Sequence, residues 1–298
     1  MAGLDDCILC PRMCHADRTE GGTGVCGAGE KARVALVSLH QWEEPCISGE
    51  RGAGTVFFSH CSLKCVFCQN HEISHGGKGR DVSPGRLAEI FIEQQARGAE
   101  TLDLVTPTQY APQILQALII AKRHGLTIPV VWNSGGYETE SMIESMRGYV
   151  DVFMPDLKYR DEGISKKYSG ASNYFIAASK AIIKMYNMTG SPKYDDRGIM
   201  RRGLLVRHMV LPGCRKDSMR LLDWLWKNFK NNIKLSLMNQ YTPMYKAYKY
   251  HEIDRKLTTF EYDSVVNYAY DLGFRNAYIQ EGSAATEAFV PDFNLSGV

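Results

Sequence analysis

Thr55-Val56-Phe57-Phe58-Ser59-His60-Cys61-Ser62-Leu63-Lys64-Cys65-Val66-Phe67-Cys68-Gln69-Asn70 is a short apolar strand running directly into a C-x3-C-x2-C triplet. Three thiolates this closely spaced suit three irons of a [4Fe–4S] cluster and leave the fourth iron free of protein, which makes the cluster a reagent as well as an electron carrier. A structural zinc site is the plainer alternative, but Cys61, Cys65 and Cys68 alone leave a tetrahedral zinc one ligand short.

Downstream of the triplet, strand and helix patterns alternate. Apolar runs at 55–59, 102–106, 128–132, 150–154, 203–211, 233–238 and 276–280 are mostly near-continuous, as strands buried on both faces are. Helical patterns fill the gaps. Ser83 and Pro84 supply a cap and first position for a helix carrying Leu87, Ile90 and Phe91 and ending near Gly98. Ile114, Leu115, Leu118 and Ile119 form a second amphipathic face, closed at His124-Gly125. A third helix, capped by Asp217 or Ser218, turns Leu221, Leu222, Leu225 and Phe229 toward the sheet. The stretch 189–202, with Gly190, Pro192 and Gly198 amid charges, predicts a mobile surface loop. This alternation predicts an α/β barrel-like domain built on a parallel sheet with right-handed crossovers.

Upstream lies a second cysteine group, Cys7, Cys10, Cys14 and Cys26, spaced C-x2-C-x3-C-x11-C around Pro11 and Gly21-Gly22-Thr23-Gly24. Four soft ligands close a tetrahedral zinc site or hold a second iron–sulfur cluster, and spacing does not choose between them. His15 and Cys46 are alternative ligands. A metal here would fold a segment too small to fold alone. The odd count of nine cysteines, in tight local groups, suits metal ligation in a reducing compartment better than a disulfide framework. A net charge of +2, from 35 basic and 33 acidic residues, gives no reason to expect nucleic acid as a partner. No basic region followed by a long apolar run opens the chain, and no stretch approaches the roughly 20 apolar residues of a membrane span. The expectation is a cytoplasmic enzyme with no membrane partner.

In a parallel barrel, ligands sit at the C-terminal ends of the strands. Those ends read Thr106-Pro107-Thr108-Gln109, Asn133-Ser134-Gly135-Gly136, Asp156-Leu157-Lys158, Val206-Arg207-His208 and Asn239-Gln240-Tyr241. Any one of these is an ordinary loop charge or turn residue. Their recurrence on successive strands points to a site.

The triplet with its aromatic Phe67, together with these strand ends, resembles the radical S-adenosylmethionine (SAM) superfamily. Within it the chain is most similar to the pyruvate formate-lyase activating enzyme-like branch with an N-terminal Cys-x2-Cys-Pro-Arg segment. The resemblance spans roughly residues 55–280. It implies a partial (β/α)6-type TIM barrel with a small N-terminal Cys-rich appendage: residues 1–50 a metal-binding segment, 51–282 the barrel, 283–298 a C-terminal tail. It also implies that Cys61, Cys65 and Cys68 ligate a [4Fe–4S] cluster, that Asn133, Ser134, Asp156 and Arg207 surround SAM, that Phe67 lies against the adenine, and that Asp156 and Lys158 position SAM or substrate. The family's Gly-Gly-Glu is replaced here by Thr106-Pro107-Thr108-Gln109, whose Thr106 and Thr108 hydroxyls stand in as acceptors for the SAM ammonium. Gln240 stands where relatives often place a ribose-binding histidine. No ferredoxin-like insertion follows the triplet, since the next cysteine after Cys68 is Cys214.

The implied reaction is reductive cleavage of SAM to a 5′-deoxyadenosyl radical that abstracts hydrogen, with a flavodoxin or ferredoxin as electron donor. The implied substrate is a backbone glycine of a glycyl radical enzyme. A small molecule, a peptide or a tRNA base is the enzymatic alternative. A non-catalytic iron–sulfur electron-transfer or metal-binding protein is the alternative of another class.

Overall fold

The computed structural model describes residues 3–280 and 291–298. Its strands are β1 (Ala32–His40), β2 (Ala53–Phe58), β3 (Arg80–Val82), β4 (Leu102–Val105), β5 (Val130–Ser134), β6 (Val152–Pro155), β7 (Lys193–Tyr194), β8 (Met200–Met209), β9 (Lys234–Met238) and β10 (Ala277–Ile279). Between them lie single turns α1 (Pro45–Ser48) and α2 (His71–Ser74), then α3 (Pro84–Ala96), α4 (Ala111–Arg123), α5 (Glu140–Ser145), α6 (Glu162–Ser169), α7 (Tyr174–Thr189), α8 (Arg215–Phe229) and α9 (Thr259–Leu272).

The sheet order is β10-β9-β8-β6-β5-β4-β2-β1-β3. From β2 to β10 every neighbouring pair along this order is parallel, whereas β1 runs antiparallel to both β2 and β3. The β/α units are β2/α3, β4/α4, β5/α5, β6/α6–α7, β8/α8 and β9/α9, with β10 as the last parallel strand. This is the expected partial (β/α)6 barrel. The sheet does not close, because β10 and β3 are its two ends among the described residues.

Strand alternation sorts side chains onto two faces. Trp132, Phe153, Leu204 and Val206 pack into the large core under the helices. Their neighbours Val131, Val152, Met154 and Leu205 form a separate inner cluster with Cys46 and Ile47 of α1, so α1 plugs the barrel from below. Asn133, Asp156 and Arg207 continue that inner face toward the strands' C-terminal ends.

The helices form for the reasons the sequence offers. Ser83 accepts the Arg86 N–H as cap of α3, Pro84 occupies its first turn, and Leu87, Ile90 and Phe91 are buried. Ile114, Leu115 and Leu118 face inward on α4. Two details differ. Helix α8 starts at Arg215 with Cys214 as its cap position, and Asp217 is buried, accepting the Arg160 N–H and pairing with Arg220. The stretch 189–202 is a hairpin: β7 pairs antiparallel with an early start of β8, and Arg197 and Arg51 clamp buried Glu100 from either side. Glycines and charges made this segment read as a loop; the long-range ion pairs that order it are invisible to a local pattern.

Strand β1 lies inside residues 1–50, the segment expected as an appendage, and pairs along the whole of β2. At the other terminus Val37 N–H donates to Ser296 O and Leu295 N–H to Ala35 O, while Phe293 packs edge-on against Phe57 at 5.6 Å. The expected tail boundary at 282/283 lies outside the described residues.

Candidate active site

The triplet occupies the loop between β2 and α2. Two non-glycine residues in this loop, His60 and Lys64, have left-handed φ of 69° and 50°, and Thr106 across from them has 57°. Such backbone strain persists only where its surroundings hold it. Here Gln109 does so: its side-chain amide nitrogen lies 2.9 Å from Ser59 O, 3.2 Å from His60 O and 2.7 Å from Thr106 O, tying the ends of β2 and β4 together.

Each of the three sulfurs has a hydrogen-bond partner. Leu63 N–H donates to Cys61 Sγ at 3.4 Å, Ser74 Oγ donates to Cys68 Sγ at 3.2 Å, and Cys65 Sγ lies 3.0 Å from Ser169 Oγ, which in turn meets Tyr159 Oη at 2.8 Å. Hydrogen bonds of this kind stabilise thiolates and tune a cluster's potential. Burial, with the neighbouring Cys65 sulfur adding to it, pushes the Cys61 thiol above its ordinary value and the Cys68 thiol up to about 12. Protonated and buried, these thiols are poor; ligation of iron would remove the protons and supply the missing positive charge. Three cysteines leave a tetrahedral zinc one ligand short but suit a [4Fe–4S] cluster with one open iron.

Facing the triplet is a charged group on the inner face. Asp156 Oδ2 accepts from Lys158 Nζ at 2.6 Å and its Oδ1 from Arg207 Nε at 2.9 Å. Arg207 also donates to Asn133 Oδ1 at 2.7 Å and to Glu43 Oε2 at 3.1 Å, with Glu44 Oε2 at 3.8 Å. Asn133 Nδ2 reaches Asp103 at 3.3 Å. Burial would push the Asp156 carboxyl up, but Arg207 and Lys158 together outweigh it and hold the carboxyl below its ordinary value. Burial drives Glu43, Glu44 and Asp103 the other way, upward, against the pull of Arg207. The group is therefore graded, with carboxyls pushed upward at Glu43, Glu44 and Asp103 and downward at Asp156. Lys158 is drawn into the same field by Asp156 and by Cys65, which raise its pKa against the effect of burial.

The turns that present these residues pack tightly. A side chain at Gly136, whose φ is 71°, would meet Asp156 O at 2.5 Å, and one at Gly135 would meet Leu63 of the triplet loop at 2.8 Å. Tyr174 Oη accepts the Lys158 N–H at 2.9 Å and lies 2.8 Å from Asp156 O, fixing the β6 end.

Phe67, Asp156 and Lys158 line one pocket with Met209 and Leu211, so these three expected residues are brought together. Asn133 and Arg207 join them through hydrogen bonds. Gln240 reaches the triplet loop by its carbonyl, which accepts from Gln69 Nε2 at 3.3 Å. Thr106 contributes its strained backbone, its N–H donating to Asn133 O at 2.8 Å. Ser134 and Thr108 turn away: Ser134 Oγ accepts the Gly136 N–H within its own turn, and Thr108 Oγ1 donates to Glu138 Oε1 at 2.9 Å. Glu43, Glu44, Asp103 and Glu138 were not singled out from the sequence. Glu43 and Glu44 precede the Pro45 turn, where nothing local distinguishes a solvated acid from one reaching across the barrel.

A family model for the radical SAM superfamily matches residues 55–213. The chain belongs to the radical SAM superfamily. It is 29% identical over 276 residues to the uncharacterized protein MJ0674 of Methanocaldococcus jannaschii, covering 89% of this chain and 74% of that protein. To the pyruvate formate-lyase-activating enzyme of Clostridium pasteurianum it is 21% identical over 217 residues, 69% of this chain and 82% of that enzyme. Among solved structures, anSMEcpe with bound AdoMet and Cp18Cys peptide superposes with a TM-score of 0.52 at 12% identity, over 74% of this chain and 60% of that one. Streptococcus suis SuiB bound to S-adenosylmethionine gives 0.47 at 14% identity, and the chain spans 45% of SuiB's length. The fold is shared with anSMEcpe. Members of this superfamily are enzymes that use a [4Fe–4S] cluster and SAM, and no helix among the described residues is long and apolar enough to cross a membrane.

Proposed function

We propose that Cys61, Cys65 and Cys68 carry the [4Fe–4S] cluster and that SAM lies between it and the Asp156, Lys158 and Arg207 group. The observation that carries this reading is the pocket shared by Phe67, Asp156 and Lys158, with Phe67 adjoining the hydrogen-bonded Cys68 in the chain and Lys158 within electrostatic reach of Cys65. When bound, cluster and SAM supply one-electron reductive cleavage to methionine and a 5′-deoxyadenosyl radical, which takes a hydrogen atom from the substrate.

The chain's own residues do the rest. Asp156 offers its ionised carboxylate to the cationic parts of SAM, and Lys158 and Arg207 oppose the SAM carboxylate. Phe67, braced edge-on by Tyr241 at 5.7 Å, supplies an apolar wall for the adenine. Asn133 orients Arg207, while Gln240 and the Thr106 backbone hold the rim. Ser134 and Thr108 act through the turns they brace. Buried walls keep water from the site.

For the substrate, the likeness to the Clostridium pasteurianum activating enzyme favours a backbone glycine of a glycyl radical enzyme, with flavodoxin or ferredoxin as electron source. Anaerobic reconstitution and reduction should yield 5′-deoxyadenosine and methionine in equal amounts, and Cys65→Ala should abolish both. Cleavage retained by that variant overturns the assignment. With a glycyl radical protein as partner, a glycyl electron paramagnetic resonance signal should appear and vanish when the partner's glycine is replaced. Hydrogen loss from a metabolite without that signal would move the substrate to a small molecule.

A further inference from the structure

The N-terminal cysteines are not used by the reaction described above, yet Cys7, Cys10, Cys14 and Cys26 line one pocket, together with Arg12 and Ser62. The four thiols come from a loop spanning Cys7 to Cys26, and the fold gathers them by several independent devices. Cys7 N–H donates to Ala16 O and His15 N–H to Cys7 O, closing the loop on itself. Gly24 is bare where Cys14 needs space: a Cβ there would lie 2.6 Å from Cys14 Sγ.

Charge is the second observation. Arg18 is fully buried, with 0% exposure. Its guanidinium donates to Gly29 O and, at 2.6 Å, to Gln109 O, and it lies 3.9 Å from Cys7 Sγ. Among the described residues it forms no ion pair with a carboxylate. A buried cation without a counterion is expensive, and its removal from water must be offset by negative charge nearby. Thiolates bound to metal supply that charge; neutral thiols do not.

Position is the third. The four thiols share their pocket with Ser62 of the triplet loop, so a centre here lies against the first site, where an iron–sulfur cluster can pass electrons and a zinc ion cannot.

We propose that Cys7, Cys10, Cys14 and Cys26 hold a second [4Fe–4S] cluster, fully ligated by protein, with Arg18 as its buried counterion. The site abuts the first. Arg12, two residues past Cys10, donates from Nε to Ser62 O at 2.9 Å inside the triplet loop and from its other nitrogens to Ser169 O and Gly170 O, and Ser169 touches Cys65 Sγ. The inference stands apart from SAM chemistry, since it concerns different ligands.

The test uses the full chain reconstituted anaerobically with iron and sulfide. The expected content is about eight irons per chain, and Mössbauer spectra should divide into two halves, one containing an open iron that shifts on adding SAM and one in which no iron shifts, because four protein ligands leave no open iron. The Cys10→Ala/Cys14→Ala variant, left with two of the four thiols, should fall to about four irons and keep the SAM-responsive half. Arg18→Gln should lower the midpoint potential of the SAM-silent half alone, and Arg18→Lys should restore it. About four irons in the unaltered chain, with no SAM-silent half, overturns the proposal, as does one zinc per chain that the Cys10→Ala/Cys14→Ala variant releases. An unchanged potential in Arg18→Gln removes Arg18 as counterion. These readouts do not depend on SAM cleavage, so their failure is separable from failure of the Cys61, Cys65 and Cys68 assignment.

Discussion

Replacing Asp156 with Asn keeps the shape of the side chain and removes its charge. Lys158 then loses its ion-pair partner, since Asp156 is the carboxylate it contacts, while Arg207 keeps Glu43 at 3.1 Å. Breaking a buried pair by removing one partner costs about 3–5 kcal/mol. Asp156 and Lys158 retain 16% and 19% exposure, so water softens the loss and places it near the lower end, about 3 kcal/mol. With a urea slope of about 3 kcal/mol/M for a chain of this size, the midpoint should fall by about 1 M. SAM binding should weaken as well. One charge-assisted hydrogen bond is worth about 2 kcal/mol, or about 30-fold in affinity, read from the SAM-induced change in the cluster's spectrum. Iron content should stay at its unaltered level, because Asp156 is not a ligand in this reading. The double variant Asp156→Asn/Lys158→Met should be more stable than the single Asn variant, since it no longer strands a buried cation. Unchanged SAM affinity in Asp156→Asn refutes its place in the site; a double variant less stable than the single one refutes the pairing argument.

Glu138→Gln probes a carboxyl that burial raises against the hydrogen bonds from Ser134, Trp132 and Thr108. An acid with a raised folded pKa contributes stability that is full below its unfolded value of about 4.3 and lost as pH rises through the folded value, so the wild-type advantage over the Gln variant should shrink from pH 5 to pH 8 in urea titrations; an advantage that grows with pH counts against it. Glu100→Gln removes two ion pairs that hold the β7–β8 hairpin, but their arginines are 55% and 52% exposed, which limits the loss to about 1 kcal/mol, about 2–4 °C in melting temperature, with SAM cleavage unchanged. A drop in SAM turnover without a thermal shift would mean that this hairpin serves the site and not the scaffold.

Periodicity and turn chemistry made the parallel strands, the α3 cap and the two cysteine groups legible, because each is a local property of the chain. Phe67, Asp156 and Lys158 were legible for a related reason: the strand that carries the last two ends at a recognisable place, and ligands gather where strands end. Strand β1 was not. Its run Ala32-Arg33-Val34-Ala35-Leu36-Val37 is short and sits amid glycines and charges, and only antiparallel pairing with β2 and docking of residues 295–296 against it make it a strand. Ser134 and Thr108 show the limit of reading strand ends by proximity alone. A one-residue step along a strand reverses the face, so Asn133 meets Arg207 while Ser134 turns back into its own turn.

The acids the sequence did not mark bear on why Arg207 can sit inside the barrel. Its guanidinium is only 15% exposed and faces Asp156 on one side and Glu43 and Glu44 on the other. Burial pushes the Glu43 and Glu44 carboxyls upward while Arg207 pulls them down, whereas Arg207 and Lys158 together hold Asp156 below its ordinary value. Asp156 is the acid of the three that also meets Lys158, at 2.6 Å. The residues that set this gradient come from the turn just before α1, ahead of the region matched by the family model. A chain begun at Thr55 would therefore keep every strand-end residue of the site and lose the acids that hold Arg207 from below, along with Arg12 and the β1 pairing that support the triplet loop from the side. The segment upstream of β2 thus belongs to the wall of the proposed site, through ion pairs of Glu43 and Glu44 with Arg207 and the hydrogen bond from Arg12 to Ser62.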